Sequence, residues 1–268
     1  MHDIIIIGSG PAGLSAAITA RIRGKSVLVV SNDRTKTGLY KAKAVENYPG
    51  LPAITGSELS DRLFYHAASM GAELATGRVS TILHTGDAFN VGYGMEIAMA
   101  KCLILATGVM QSSEFPGEQK LLGRGVSYCA TCDGMLYRGK RVCVVCLSDE
   151  AEAEADYLTS IGCAVTKTKS NKIAVNGEEK VSSITADGEE IPCDGVFILR
   201  KTILPASLIP GLEAQGSSIS VDRKMRTSIP GVFAAGDCVG APYQIAKAVG
   251  EGQVAVLSAV EFSDRGTD

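Results

Sequence analysis

Hydrophobic residues along this chain fall into short continuous runs that alternate with glycine-bearing turns and segments of helical period. Residues 3–7 form an apolar run that enters a glycine turn, and residues 11–24 then carry helical spacing as far as Gly24, a C-cap residue. Residues 27–30 are a second buried strand, so the first thirty positions predict a β-α-β unit of the dinucleotide-binding kind. A polar loop follows from Ser31 to about Lys43, then a helix over 57–70, strands and turns over 74–99, and a buried strand over 102–106 ending at Thr107-Gly108. The character changes near Ser112, where residues 113–128, rich in glycine and charge, read as a connection. Beyond it the pattern predicts a strand over 141–145, a helix over 150–161, a strand over 164–167, hairpins over 170–195 turning at Asn176-Gly177 and Asp187-Gly188, and a strand over 196–199. The last strand, 232–235, leads through Gly236-Asp237 into a helix over about 241–262. This order predicts an α/β protein in which a second β-α-β-like unit, residues 113–200, is inserted between two segments of a first domain, 1–112 and 201–268.

Composition narrows the class. With 268 residues, 46% of them hydrophobic and 21% charged, the chain is long enough for one large or two small globular domains. A net charge of -3, 5% aromatic residues and no tryptophan argue against a nucleic-acid partner. The start lacks a basic leader, and Gly8-Ser9-Gly10-Pro11 interrupts the first apolar stretch, so neither a signal peptide nor a membrane span is expected and the location is read as cytoplasmic. Eight cysteines in such a chain are not expected to build a disulfide framework.

Two glycine- and cysteine-bearing motifs carry candidate chemistry. Gly8-Ser9-Gly10-Pro11-Ala12-Gly13 follows a strand and opens a helix: Gly8 allows the tight turn, Gly10 lets backbone approach a pyrophosphate, and Gly13 lets helix and strand pack closely. The helix N-terminus supplies free N–H groups and partial positive charge. Where an acidic residue commonly holds the ribose, Ser31 and Asn32 stand instead, able to hydrogen-bond a ribose more weakly. The second motif is Tyr128-Cys129-Ala130-Thr131-Cys132-Asp133-Gly134, whose spacing suits a small reducible disulfide with one thiol activated near a helix N-terminus. Asp133 is the carboxyl beside the pair and the candidate proton donor and acceptor. A zinc site with the second CxxC, Cys143 to Cys146, is disfavoured: the intervening loop is short, and residues three apart on a strand point to opposite faces. No metal is expected, and Cys143 and Cys146 are read as core.

Longer stretches resemble one family. Leu103 to Gly108 is similar to the ATG strand of two-dinucleotide flavoproteins, and Thr227-Ser228-Ile229-Pro230-Gly231-Val232-Phe233-Ala234-Ala235-Gly236-Asp237 to their C-terminal flavin motif. Val45-Glu46-Asn47-Tyr48-Pro49-Gly50 and Cys-Ala-Thr-Cys-Asp-Gly resemble segments of the low-molecular-weight thioredoxin reductases, and the likeness extends over most of 3–162 and 192–260. The resemblance implies FAD as cofactor and the two-dinucleotide-binding-domain flavoprotein fold. It places Asp237 on the ribityl chain and further cofactor contacts at Ala106, Thr107, Gly108, Leu39, Asn47, Val79, Gly236, Gln244 and Ile245. It also implies that Cys132 faces the flavin, that Cys129 attacks thioredoxin, and that the protein is a homodimer.

The inserted domain departs from that family. After the strand 141–145 the turn reads Cys146-Leu147-Ser148-Asp149-Glu150-Ala151 in place of GxGxxA, putting side chains where backbone must touch phosphate. Asp149, Glu150, Glu152, Glu154 and Asp156 crowd the following helix, with Asp149 and Glu152 at capping-box spacing. The family's His-Arg-Arg triplet is replaced by Thr166-Lys167-Thr168-Lys169, and the domain is shortened after Lys172. The second, nicotinamide-type domain is therefore read as shortened and degenerate, and the chain as most like the ferredoxin-dependent flavin thioredoxin reductases. The expected partners are thioredoxin and a ferredoxin or flavodoxin donor. The alternatives are an NADPH-dependent thioredoxin reductase with an atypical nucleotide site and a related flavin disulfide reductase with flavodoxin or another donor. Arg34, Lys36, Lys41, Lys43, Arg200 and Lys201 are the basic residues expected to meet an acidic donor.

Overall fold

Strands, turns and helices follow the alternation in the sequence. The computed structural model describes residues 1–108, 115–128, 130–148, 151–200, 209–216 and 218–265, and for Lys36, Cys132 and Arg265 it describes the backbone alone. The chain divides into two compact units, Met1–Met110 with Leu204–Asp268, and Gln111–Ile203. No helix among the described residues is long and apolar enough to cross a membrane.

In the first unit, β1 (His2–Ile7), β2 (Val27–Ser31), β3 (Glu73–Thr76), β4 (Val79–Thr85), β5 (Ala88–Tyr93) and β6 (Glu96–Leu105) form a sheet in the order β3-β2-β1-β6-β5-β4. β1 runs parallel to β2 and to the second half of β6, and β6 pairs antiparallel with β5 over its first half. The freed edge of β6 takes up β16 (Val232–Ala234), in register Val232 to Leu103 and Ala234 to Leu105. Ile4–Ile7 of β1 read as an unbroken apolar run because the strand is covered on both faces there, and Ile4, Ile5 and Ile6 are fully buried.

Helices α1 (Pro11–Ile22), α2 (Gly38–Lys41) and α3 (Gly56–Ser69) belong to this unit, together with the long C-terminal helix, which follows two helices of the second unit in the chain. α1 and the C-terminal helix pack through small residues: Ala12, Ala16, Ala17 and Ala20 share one core with Ala255 and Ala259. A Cβ at Gly252 would stand 2.1 Å from the Ala12 carbonyl oxygen, so this contact is backbone on backbone.

The second unit holds a parallel sheet of β7 (Val126–Ser127), β8 (Arg141–Leu147), β9 (Ala164–Thr168) and β13 (Gly195–Arg200), in the order β7-β13-β8-β9. An antiparallel sheet joins β10 (Ile173–Gly177), β11 (Val181–Ala186) and β12 (Glu189–Pro192). Its helices are α4 (Ala130–Asp133) and α5 (Ala151–Ser160), and the C-terminal helix of the first unit is therefore α6 (Ile245–Arg265). A two-stranded ribbon, β14 (Ala214–Gln215) and β15 (Ser218–Ile219), lies in the first unit.

Two local expectations need correction. Asp187 and Gly188 do turn the second hairpin, both at positive φ, but Asn176-Gly177 does not turn the first. Asn176 stays in β10, where its side-chain amide donates to Ser183 and Thr185, and Gly177 forms a bulge from which a Cβ would strike the Lys180 carbonyl at 2.0 Å. The last helix starts at Ile245 rather than near 241, as Pro242 disfavours helical geometry in the residue before it.

Candidate functional site

The Gly8–Gly13 turn is built by three glycines with three separate tasks. Gly8 sits at φ 116°, and a Cβ there would lie 2.1 Å from the Ala106 carbonyl oxygen, where β6 passes. A Cβ at Gly13 would lie 1.9 Å from the Gly8 carbonyl oxygen. Gly10 is different: no atom lies within 4 Å of its Cβ position, so its face is open to a ligand. Gly10 is also the N-cap of α1, which has Pro11 at its start, no side-chain cap and no acidic residue in its first turn. Open glycine and bare helix N-terminus together make a cradle that fits a pyrophosphate. Ser9 and Ala12, both within the turn, are buried.

Beside this turn a cleft of about 330 Å³ opens at the C-terminal end of β2. Ser9, Ser31 and Asn32 line it with Val29, Arg34, Phe64 and Thr76. Ser31 and Asn32 thus face a cleft that opens beside the glycine turn. Val79 is not among the lining residues; its side chain is buried at the start of β4, paired across to Tyr93.

The other expected cofactor residues converge at the same end of the sheet. Ala106 donates its N–H to the Ile7 carbonyl, and Ala235 donates to the Leu105 carbonyl, which brings Thr107, Gly108, Gly236 and Asp237 alongside the glycine turn. Gly236, at φ 85°, packs so closely that a Cβ would meet that of Ala12 at 2.8 Å. Leu39 and Ile245 share a small core with Val45 and Tyr48, and Asn47 donates to the Gln244 side chain at 2.8 Å. The loop after β2 and the turn before α6, 197 residues apart, are thereby tied together. Burial pushes the Asp237 carboxyl above its ordinary range, Lys247 pulls it back and Glu251 adds to the rise. Lys247 and Glu251 were missed from the sequence: Glu251 accepts the Gly236 N–H at 2.9 Å, and Lys247 donates to the Gly236 and Gly240 carbonyls. Their i, i+4 spacing was the available signal.

In the second unit Cys129 lies outside the described residues, and the backbone of Cys132 lies in α4. Asp133 closes that helix and accepts a hydrogen bond from Ser127 Oγ at 2.6 Å. At its start the Ala130 N–H donates to Glu154 Oε2 of α5 at 3.1 Å. Gly134 lets the segment settle on α5, since a Cβ there would meet Leu158 at 2.8 Å and Ile161 at 3.1 Å. Cys143 and Cys146 are both buried free thiols. Cys146 packs with Val142 and Val144 in a core that excludes Cys143, as expected for residues on opposite faces of β8. Burial pushes the Cys143 thiol up to about 12.

At the end of β8 the residues expected to oppose a nucleotide are not bare charges. Lys167 bridges Glu152 at 3.0 Å and Asp156 at 2.7 Å, and Lys169 bridges Glu152 at 3.0 Å. These lysines hold the Glu152 carboxyl below the usual range. The capping box expected from Asp149 and Glu152 falls partly outside the described residues, which omit Asp149 and Glu150; Glu152 itself is paired with the two lysines.

Two basic residues expected at a docking surface have other partners. Arg200 is 4% exposed and forms a two-point ion pair with Glu118, itself 0% exposed; Lys201 lies outside the described residues. Arg34 pairs with Asp61 and lies over the Phe64 ring, 4.5 Å from its centre, at the wall of the cleft. Local charge patterning does not reveal such long-range partners. Lys41 and Lys43 are exposed.

Comparison with known proteins follows the same lines. The model of the pyridine nucleotide-disulphide oxidoreductase family matches residues 2–166 and 135–252. A thioredoxin reductase of Bacillus subtilis is 33% identical over 301 residues, spanning 98% of this chain and 95% of that protein. A ferredoxin-flavin thioredoxin reductase from Clostridium acetobutylicum superposes with a TM-score of 0.86 at 41% identity, over 97% of each chain. An atypical thioredoxin reductase from Desulfovibrio vulgaris Hildenborough superposes with a TM-score of 0.75 at 32% identity, over 99% of each chain. Identity of this extent, along the whole chain and on a shared fold, makes this protein a member of the pyridine nucleotide-disulphide oxidoreductase family, among its FAD-binding thioredoxin reductase homologues.

Proposed function

We propose that the protein reduces the disulfide of thioredoxin through a Cys129–Cys132 redox disulfide, with electrons from reduced ferredoxin rather than from NADPH. The observation that carries the choice of donor is the pairing of Lys167 and Lys169 with Glu152 and Asp156. A dinucleotide phosphate needs bare backbone at the turn after β8 and uncommitted cations beyond it. This chain offers Cys146 and Ser148 at the turn and two lysines already neutralised by its own carboxylates. The likeness to the clostridial ferredoxin-flavin thioredoxin reductase supports the same choice.

Gly8, Gly10, Gly13 and Asp237 are the residues that would hold FAD, which when bound would supply conversion between single electrons and an electron pair. In the thiol step the Cys129 thiolate attacks one sulfur of the thioredoxin disulfide, forming a mixed disulfide and releasing one thioredoxin thiolate. Cys132 then attacks the Cys129 sulfur, which releases the second thioredoxin sulfur and leaves Cys129–Cys132 oxidised. Asp133, which accepts a hydrogen bond from Ser127, would give and take the proton. The test is anaerobic flavin absorbance with ferredoxin, flavodoxin, NADPH and NADH offered separately, followed by thioredoxin turnover. Reduction by ferredoxin with turnover is expected, and efficient bleaching by NADPH overturns the choice of donor.

A further inference from the structure

Asp237 sits in a short 3-10 turn, Gly236–Val239, that follows β16. Two glycines at positive φ bracket the turn, Gly236 at 85° and Gly240 at 106°. Three backbone groups of these glycines are taken by α6. The Gly236 N–H donates to Glu251 Oε2 at 2.9 Å, and the Lys247 ammonium donates to the Gly236 carbonyl at 3.2 Å and to the Gly240 carbonyl at 2.8 Å. Lys247 also meets Glu251 Oε2 at 3.0 Å, so each of its three N–H donors has a partner. Helix stability does not account for this pair. Lys247 lies in the first turn of a 21-residue helix, the end at which the macrodipole disfavours a cation. Pairs four residues apart also stabilise a helix better with the acid placed first, the reverse of the order here.

We infer that Lys247 and Glu251 are positioning residues for the cofactor carboxylate: they grip the Gly236–Gly240 turn at both ends, and the Lys247 charge keeps Asp237 competent to hold FAD. The inference rests on the reading of Asp237 as a cofactor contact. Charge supports what the hydrogen bonds show. Burial pushes the Asp237 carboxyl above its ordinary range, Lys247 opposes that rise and Glu251 adds to it. The other titratable group on the turn is the buried thiol of Cys238, itself pushed up by burial. Of the other elements packed on the turn, β15 and the first turn of α1, which meets it at Ala12, carry none. Without Lys247 two carboxyls would share the site with no cation, and the Asp237 carboxyl would take up a proton at higher pH. A protonated carboxyl has less acceptor capacity for the hydroxyl groups of a polyol chain.

Lys247→Met removes the donors and the charge, Lys247→Arg keeps both, and Lys247→Gln keeps two donors without the charge, so the test survives if K247M misfolds. Purified holoprotein is diluted at a series of pH values, released FAD is separated by ultrafiltration and read by its fluorescence, and circular dichroism checks the fold. At neutral pH the dissociation constant of K247M for FAD is expected to rise about tenfold, the worth of one charge-assisted hydrogen bond, with K247R within about threefold of the parent. A carboxyl whose pKa is raised is charged above that pKa, so FAD is lost as pH falls through it; in K247M and K247Q this loss is expected to begin at higher pH than in the parent. Asp237→Asn supplies the control. In K247M/D237N the Lys247 substitution is expected to cost less than about twofold, because the charge it serves is gone. Equal cost in both backgrounds assigns Lys247 to the fold alone and overturns the inference, as does parent-like FAD release and pH dependence in folded K247M. If D237N by itself releases FAD no more readily than the parent, it is the placing of Asp237 on the cofactor that fails.

Discussion

Glu118 and Arg200, 82 residues apart in the chain, meet in a two-point ion pair of 2.5 and 2.7 Å within the second unit. Glu118 also accepts from the Tyr128 hydroxyl at 2.9 Å and from the Phe115 N–H at 2.8 Å, and Arg200 lies 4.6 Å above the Phe115 ring. The pair therefore joins the end of β13 to the segment that leads into Cys129. Breaking a buried pair from one side strands the other charge, at a cost of about 3–5 kcal/mol. Glu118→Gln and Arg200→Met are each expected to lower the denaturant midpoint of the second unit strongly, and E118Q/R200M less than the sum of the two. Additive losses in denaturation followed by circular dichroism would show that the charges are solvated rather than paired.

The glycine turn separates folding from cofactor binding. Nothing lies within 4 Å of a Cβ at Gly10, so Gly10→Val is expected to fold and to purify with less than about a tenth of the parent's FAD content. Gly8→Ala drives a methyl into the Ala106 carbonyl at an unfavourable φ, and is expected to lose soluble protein altogether. Full flavin content in G10V, read from the absorbance ratio, removes the cradle from the cofactor site.

The chain has eight cysteines, and the six whose side chains are described are buried free thiols. Burial pushes Cys102 and Cys143 up to about 12 and Cys193 up to about 11. These three remain protonated at pH 8, where thiolate reactivity governs alkylation. The reduced native protein is therefore expected to take up two alkyl groups, at Cys129 and Cys132, and the remainder only after denaturation. Modification of Cys143 in the native fold, seen by peptide mass, sinks this assignment. Cys129→Ser and Cys132→Ser are each expected to abolish thioredoxin turnover while flavin reduction by the donor persists; Cys143→Ser keeps substantial activity.

Neither NADPH nor NADH is expected to bleach the flavin. Cys146→Gly with Ser148→Gly clears the turn but leaves Lys167 and Lys169 tied to α5, so the double variant is expected to stay inert as well. Rapid bleaching of that variant by micromolar NADPH would mean that the turn alone is the obstacle.

Lys41 and Lys43 remain exposed just before the Val45–Ile54 bridge, whereas Arg34 and Arg200 are committed elsewhere. Complementary charge mainly accelerates encounter and weakens as screening shortens to about 3 Å at 1 M salt. Lys41→Glu with Lys43→Glu is expected to slow flavin reduction by an acidic protein donor at least several-fold while leaving dithionite reduction alone. Stopped-flow rates that ignore both the substitutions and ionic strength place docking elsewhere.

Local signals carried much of this protein. Unbroken apolar runs at 4–7 and 102–106, glycines at turn positions and an alanine-rich helix between strands determined the α/β class and the dinucleotide-binding unit, because period and turn chemistry act within a few residues. The family resemblance was legible for the same reason: its motifs are contiguous. Tertiary structure alone decided what the charged residues do. Arg200 reads as a surface cation until the fold brings Glu118 to it, and Lys167 reads as free until β9 lies against α5. The role of Asn176 changed too, from turn to strand, because Ser183 and Thr185 across the ladder satisfy its amide. Electrostatic and hydrogen-bond partners depend on distance in space, and strand pairing sets that distance between positions whose separation along the chain carries no trace of it.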